Sequence, residues 1–369
     1  MATPSRSRLH DPILWYLSCE LPLEGEASHT HIMGITRGLQ ARGWRVRLWH
    51  PAVRRRPRGA VRRFVDIATL QGRLVTQRER PDVLYVRGHY LSLPGVLWAR
   101  VRGIPVVWEI NGPGTDVLSS WPRVRPLLRL LRVVATLQLR ASRAIIAVTP
   151  ALAAMARSQG ARQAWVVPNG ADTALFSPQA RSTLDLPLRY VVFVGTLARW
   201  QGLGTVLAAL DLPVWPVGLP LVVVGDGVMA GVVRDRVAAG AGLRYLGRIP
   251  HDQVAGVVAG SVGALSPMVD PGRSRSGVVP LKLFEAMACG VPVIVTDMPG
   301  QADIVRQAGC GVVVAPGDPD SIAAAVALLA ADPAAARAMG VRGREAVVER
   351  YSWDASAAET DLILRDLLA

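Results

Sequence analysis

Ser274–Asp297 reads SRSGVVPLKLFEAMACGVPVIVTD, and the order of its parts decides the fold. A glycine-containing loop runs into Pro280, whose fixed φ suits the first position of a helix. LKLFEAMA follows, with Leu283, Phe284, Met287 and Ala288 at packing positions. Gly290 stops this helix and Pro292 keeps it from resuming. Val291–Val295 is then a short, unbroken apolar run. Runs without in/out alternation suit strands buried on both faces, and helices that alternate with them imply a parallel sheet.

Working outward, the same alternation fills the chain. The first half offers Ile13–Leu17, Arg45–Trp49, Val83–Val86, Val106–Ile110, Ala144–Val148 and Trp165–Val167. Helical spacing lies between them, as in His31–Arg42 with Ile32, Ile35 and Leu39. The second half offers Tyr190–Val194, Leu221–Val224, Gly263–Leu265, Val291–Val295 and Gly311–Val314. The expected fold class is α/β: two doubly wound, Rossmann-like domains facing each other across a cleft at the carboxyl ends of their strands. The expected domains are 1–180 and 181–350, with the polar, proline-containing Phe176–Arg189 as linker. A terminal helix within 351–369 is expected to pack back toward the first domain.

Composition bounds the function. The chain has 369 residues, half of them hydrophobic and 19% charged, enough for two buried cores and unlike a disordered chain. The net charge is +14, and Lys282 is the only lysine, so arginine supplies the rest. Cys19, Cys289 and Cys310 have neither disulfide-framework nor zinc spacing, which fits a reducing compartment. The first residues, Met1 to Asp11, lack the apolar core of a secretory signal, and no run is long enough to span a membrane. The expected setting is the cytoplasm. Aromatic residues make up only 5% and no recognition module is visible, so no nucleic acid is expected as partner.

Lys282 and Glu285 are three apart and share one helix face. A helix amino terminus offers free N–H groups and a positive dipole to a diphosphate, and a lysine in the first turn adds a full charge. A carboxylate one turn on can accept from adjacent ribose hydroxyls. Taken alone, the pair reads first as an exposed ion pair on a solvated helix face.

PLKLFEAMACGVPVI resembles the signature of the GT-B glycosyltransferases of family 4, retaining enzymes that use nucleotide-activated sugars. EGEASHTHIMGITRGLQARGWRVRLW, VVPNGADTALFSP, VVFVGTLARWQGL, LVVVGDGV and LRYLGRIPHDQV resemble further family segments in the same order. The resemblance runs from about Ile13 to the terminal ERYSWDASA. It implies a GT-B fold with an acceptor-side first domain and a donor-binding second domain. Glu285 then matches the second glutamate of an E-x7-E motif and binds the ribose. Lys282, with Gly277, Val278 and Val279, lies where the diphosphate and sugar are held. Gly195, Thr196, Gln201 and Gly202 match the phosphate loop, Gly225 the next strand's end, and Arg248 and Ile249 the site of the base. Gly25, Ser28, His29 and His31 fall in the first loop and helix, as contacts to phosphate or acceptor, or else as capping or solvated residues. No cofactor is implied beyond the nucleoside-diphosphate sugar itself, and the acceptor is a sugar, a lipid or a small molecule.

The chain departs from the family pattern in three places, at four residues. Gly277 stands where the first glutamate of E-x7-E belongs. Thr196 and Gln201 replace the usual cations of the phosphate loop, with Arg199 near enough to substitute. Asn111 stands where a histidine is common, and an amide cannot carry a proton. Lys282, Glu285, Arg199 and Asn111 are therefore the candidate catalytic residues. A silent relative that binds a nucleotide sugar and regulates a partner is the alternative reading.

Other motifs fit structural roles. Asp318-Pro319-Asp320 has D-x-D form but precedes a helical run, so it is expected to be a cap and no metal is expected. Gly225-Asp226-Gly227 fails the dinucleotide spacing. His10, His50 and His251 are expected at surfaces or turns. Val53–Arg63 is a basic, loop-like cluster, and Pro122–Arg143 interleaves arginine with Leu and Val. The latter is either an ordinary packing helix or a means of attachment to an anionic membrane, at the inner membrane surface.

Overall fold

A computed structural model describes residues 11–52, 59–112, 126–240, 242–269, 277 and 279–369. The chain divides into two compact units, 1–168 with 356–369, and 169–355. Among the described residues, the strands of each unit form a six-stranded sheet, parallel throughout.

The first unit contains β1 (Ile13–Leu17), β2 (Arg45–Trp49), β3 (Val83–Arg87), β4 (Val106–Ile110), β5 (Ala144–Ala147) and β6 (Ala164–Val166) in the order β2-β1-β3-β4-β5-β6. Side chains alternate across the pleat. Trp15, Leu17, Trp108 and Ile110 therefore share one core with α2 (Ala60–Val75), α3 (Leu93–Val101), α4 (Leu128–Ala141) and α5 (Pro150–Ser158). Trp15 stacks on Trp98 of α3 at 5.8 Å. Tyr16 and Glu109 point the other way, toward α1 (Ala27–Ala41).

The second unit contains β7 (Val191–Val194), β8 (Leu221–Val224), β9 (Leu243–Gly247), β10 (Gly263–Ser266), β11 (Val293–Thr296) and β12 (Gly311–Val314) in the order β12-β11-β10-β7-β8-β9. Val192, Val222 and Val224 face α8 (His251–Ala259), α9 (Leu281–Ala288) and α12 (Pro333–Arg350). Val191, Phe193 and Val223 face α6 (Leu203–Leu210), α7 (Ala230–Ala238) and α11 (Pro319–Ala331). The helix α10 (Gln301–Ala308) connects β11 to β12. β9 is absent from the strands read in the sequence because it is a half-buried edge strand, LRYLG, without an apolar run.

The stretch 176–189 runs over the second unit, where Phe176 is buried in the core with Phe284. A final helix, α13 (Trp353–Leu368), belongs from Ser356 onward to the first unit. There Trp44 Nε1 donates to Asp361 at 2.6 Å, and Arg365 donates to the carbonyl of Arg42. No single helix among the described residues is long and apolar enough to cross a membrane.

Candidate active site

In the second unit the strand order reverses between β7 and β10, the switch point where ligands of doubly wound sheets bind. The loop after β7 carries Gly195, Thr196 and the turn Arg199–Gln201, which ends at Gly202. α9 follows β10 and brings Lys282 to that loop. Lys282 Nζ donates to Gln201 Oε1 at 2.8 Å and lies 4.2 Å from the Phe193 ring centroid. A Cβ placed on Gly195 would make only an ordinary 3.9 Å contact with Lys282 Nζ, and it is the φ of +134° that favours glycine there. The neighbouring loop is far tighter: a Cβ on Gly225 would meet the Gly195 carbonyl oxygen at 1.9 Å. Burial pulls the half-buried Lys282 ammonium down to about 7, against the opposing charge of Glu285.

Glu285 lies one turn along the same face, with its side chain 12% exposed and Oε1 3.6 Å from His251 Nε2. His251, expected at a surface or turn, instead opens α8 with its ring edge-on to Phe176 at 5.3 Å. The Glu285 carboxylate raises the imidazole above its usual range, while burial opposes. A signal existed for this residue, since His251 begins a helix directly after the loop matched to the base. Arg248 is exposed and Ile249 packs on the core in that loop. Thr196 and Arg199 are exposed at the phosphate loop.

Gly277 has a φ of +61°, left-handed backbone that a glutamate adopts only with strain. A glutamate placed here would carry that strain. Val279 packs partly on the core, and Val278 lies outside the described residues.

The first unit holds a second polar group that the sequence reading missed. Glu109 on β4 is 1% exposed and pairs with His31 of α1. Tyr16 Oη donates to Glu109 at 2.8 Å, and Tyr16 stacks on Tyr85 at 5.0 Å. Arg87 on β3 donates from Nε to Glu20 Oε2 at 3.1 Å. Burial pushes the Glu109 carboxyl up, but His31, Arg87 and Tyr16 together outweigh it and hold it at about 2. His31 Nε2 therefore faces a carboxylate rather than solvent. The signal was a glutamate inside the buried run VVWEI, a position where a charge survives only with partners.

Two residues on, Asn111 has both amide atoms buried without a hydrogen-bond partner among the described residues. Gly25 is exposed at φ +78°, and His29 is half-buried in the first turn of α1. Ser28 helps to line a cavity of about 420 Å³, together with Glu20, Glu26, Arg63, Asp66 and Leu23. That volume falls in the range of roughly 300–1,000 Å³ usual for small-molecule sites. The D-x-D motif is a cap: Asp318 accepts from the Asp320 N–H at the start of α11.

Residues 28–175 match Glycosyltransferase Family 4, and residues 189–332 match Glycosyl transferases group 1. A glycogen synthase of Mycobacterium tuberculosis is 25% identical over 288 residues, covering 76% of this chain and 68% of its own. A GDP-mannose-dependent phosphatidylinositol monomannoside mannosyltransferase of the same species is 32% identical over 217 residues, 54% and 55% of the two chains. Among solved structures, sucrose-phosphate synthase from Thermosynechococcus elongatus superposes with a TM-score of 0.76 at 21% identity, over 96% and 99% of the chains. Anabaena HepE, solved with UDP-glucose, gives 0.70 at 16% identity, over 96% and 100%. With both halves matched in order and the fold shared, the chain belongs to the group 1 glycosyl transferases of family 4 and has the GT-B fold.

Proposed function

We propose that this protein transfers a sugar from a nucleoside-diphosphate sugar to an acceptor hydroxyl, with retention at the anomeric carbon and without a divalent metal. The observation that carries the reading is the convergence of Lys282 on the phosphate loop through Gln201, with Glu285 one turn further along the same face. Lys282 and the amino terminus of α9 hold the diphosphate, and Glu285 accepts from the ribose hydroxyls. The acceptor oxygen attacks the anomeric carbon from the leaving-group side. The bond from that carbon to the diphosphate breaks, and the departing diphosphate oxygen takes the acceptor's proton. Protein help is then positioning and charge stabilisation of the leaving group, which Lys282 and Arg199 supply. Relatives that use GDP-mannose and a neighbour solved with UDP-glucose support this donor class. The capped Asp318-Pro319-Asp320 supports a metal-free reaction, because that motif already serves a helix start. Free, buried cysteines support a reducing, cytoplasmic setting.

Release of nucleoside diphosphate is measured across nucleotide sugars with candidate acceptors, in EDTA. Turnover of at least one donor is expected, and NMR of the first-formed product keeps the donor's anomeric form. Nucleotide affinity with no turnover of any donor overturns the reading in favour of a silent relative. Activity that needs manganese or magnesium overturns its metal-free part, and an inverted product overturns retention.

A further inference from the structure

The helices α2, α3 and α4 share one core and leave an unusual outer surface in the first unit. On α4, Leu130, Val133 and Leu137 are each at least half exposed and fall at i, i+3 and i+7, one stripe of the helix. Arg129, Arg132 and Arg140 are exposed beside them, and α4 contains no acidic residue. α3 adds Leu97 and Val101, the latter 88% exposed, with Arg100. α2 adds Val61, Phe64 and Val65 in its first turns, with Arg62, Arg63 and Arg73; its one carboxylate is Asp66. Scattered exposed apolar residues need no explanation, but here they crowd three neighbouring helices and alternate with arginine.

We propose that the outer surface of α2, α3 and α4 docks on an anionic lipid bilayer and holds the mouth of the 420 Å³ cavity at headgroup level. Charge selects the occupant. Apolar side chains that enter the acyl boundary, flanked by arginines that remain with the phosphates, match a lipid surface. A nucleic acid would use the arginines but leave Phe64, Leu130 and Val133 in water. The cavity meets this surface at α2: Arg63 and Asp66 line it, and Val61, Phe64 and Val65 are exposed on the other side of the same turns. Docking goes beyond the proposed transfer reaction and is tested without turnover, so either reading can fail alone.

The full-length protein is floated with phosphatidylcholine vesicles with and without phosphatidylglycerol. Binding to the anionic vesicles alone, weakened by salt, is expected. Arg129→Gln with Arg132→Gln lowers the partition coefficient about thirtyfold, at ~1 kcal/mol per surface charge. Leu130→Glu with Val133→Glu abolishes binding, and both sites are exposed enough to leave the fold intact by circular dichroism. An environment-sensitive dye on a cysteine at Phe64, Val101 or Leu130 shifts to the blue on these vesicles, whereas one at Gln40 of α1 does not. A dye at Ala52, in the cavity wall, loses quenching by aqueous iodide. The native thiols are buried and do not compete for label. No vesicle binding, equal binding to neutral vesicles, a blue shift at Gln40 as large as at Leu130, unchanged quenching at Ala52, self-association through α4 in solution, or binding to a DNA duplex in place of vesicles would each overturn the proposal.

Discussion

Lys282 on α9 donates a 2.8 Å hydrogen bond to Gln201, a residue 81 positions earlier in the loop after β7. The resemblance expects a cation at Gln201. The amide instead accepts from the lysine and aims it at the phosphate loop. One half-buried cation is thus held against that loop by a neutral partner, while Arg199 in the same loop is exposed.

Lys282→Ala is expected to lower kcat and kcat/KM together by roughly 10²–10³, the mark of a group that acts on the departing diphosphate. Donor binding above pH 7 should also take up a proton, because the ammonium sits at about 7 in the free protein and a diphosphate restores its charge. Calorimetry in two buffers of different ionisation enthalpy reads this directly. Folding lowers this group from 10.5 to about 7, so the unfolded chain holds the extra proton between those values. Stability attributable to Lys282 thus rises with pH across that window and is lost as pH falls through 7. Lys282→Met should flatten that slope in urea titrations.

Glu285→Gln keeps the side chain's shape and removes its charge. Nucleotide affinity should fall by roughly 1.5–3 kcal/mol, the worth of a charged hydrogen bond. His251 gives an internal control, since Glu285 is what raises it. In the variant its imidazole should titrate at lower pH by NMR. An unmoved His251 would mean that the 3.6 Å contact does not persist in solution.

Glu109→Gln removes the buried carboxylate that pairs with His31 and accepts from Tyr16, while Arg87 keeps Glu20. Destabilisation of about 3–5 kcal/mol is expected by chemical denaturation. Tyr16→Phe removes only the hydroxyl and should cost ~1 kcal/mol. Because folding lowers Glu109 from 4.5 to about 2, its contribution is complete above pH 4.5 and lost as pH falls through 2. Acid unfolding of Glu109→Gln should therefore lack that component.

Gly277→Glu would rebuild the E-x7-E pattern in sequence. At φ +61° the new side chain strains the turn by roughly 1–3 kcal/mol. A lower Tm and no gain in turnover are expected. A rise in kcat would show that the turn relaxes and that the family glutamate was simply missing.

The alternation of apolar runs with helical spacing was enough to find both sheets, because strands buried on two faces are mostly apolar. β1, β2, β4, β8 and β12 fall where the sequence puts them. β9 escaped, since an edge strand is only half-buried and keeps Arg244 and Tyr245. The helix that presents Lys282 and Glu285 was equally legible, since a spacing of three fixes their common face within one turn.

Their partners were not legible. Gln201 meets Lys282 and His251 meets Glu285 in one unit, and His31 meets Glu109 in the other, each pair across elements far apart in the chain. The pleat decided that Glu109 points to Tyr16 and α1 while Trp108 and Ile110 point to α3. A local pattern fixes what stands on one element, and only the packing of elements fixes what meets across them. Charge in particular is tolerated inside a strand only where that packing delivers an opposite charge. The sequence by itself determined the sheets, the family and the face of α9; the tertiary structure alone decided which residues hold Lys282, Glu285 and Glu109 in place.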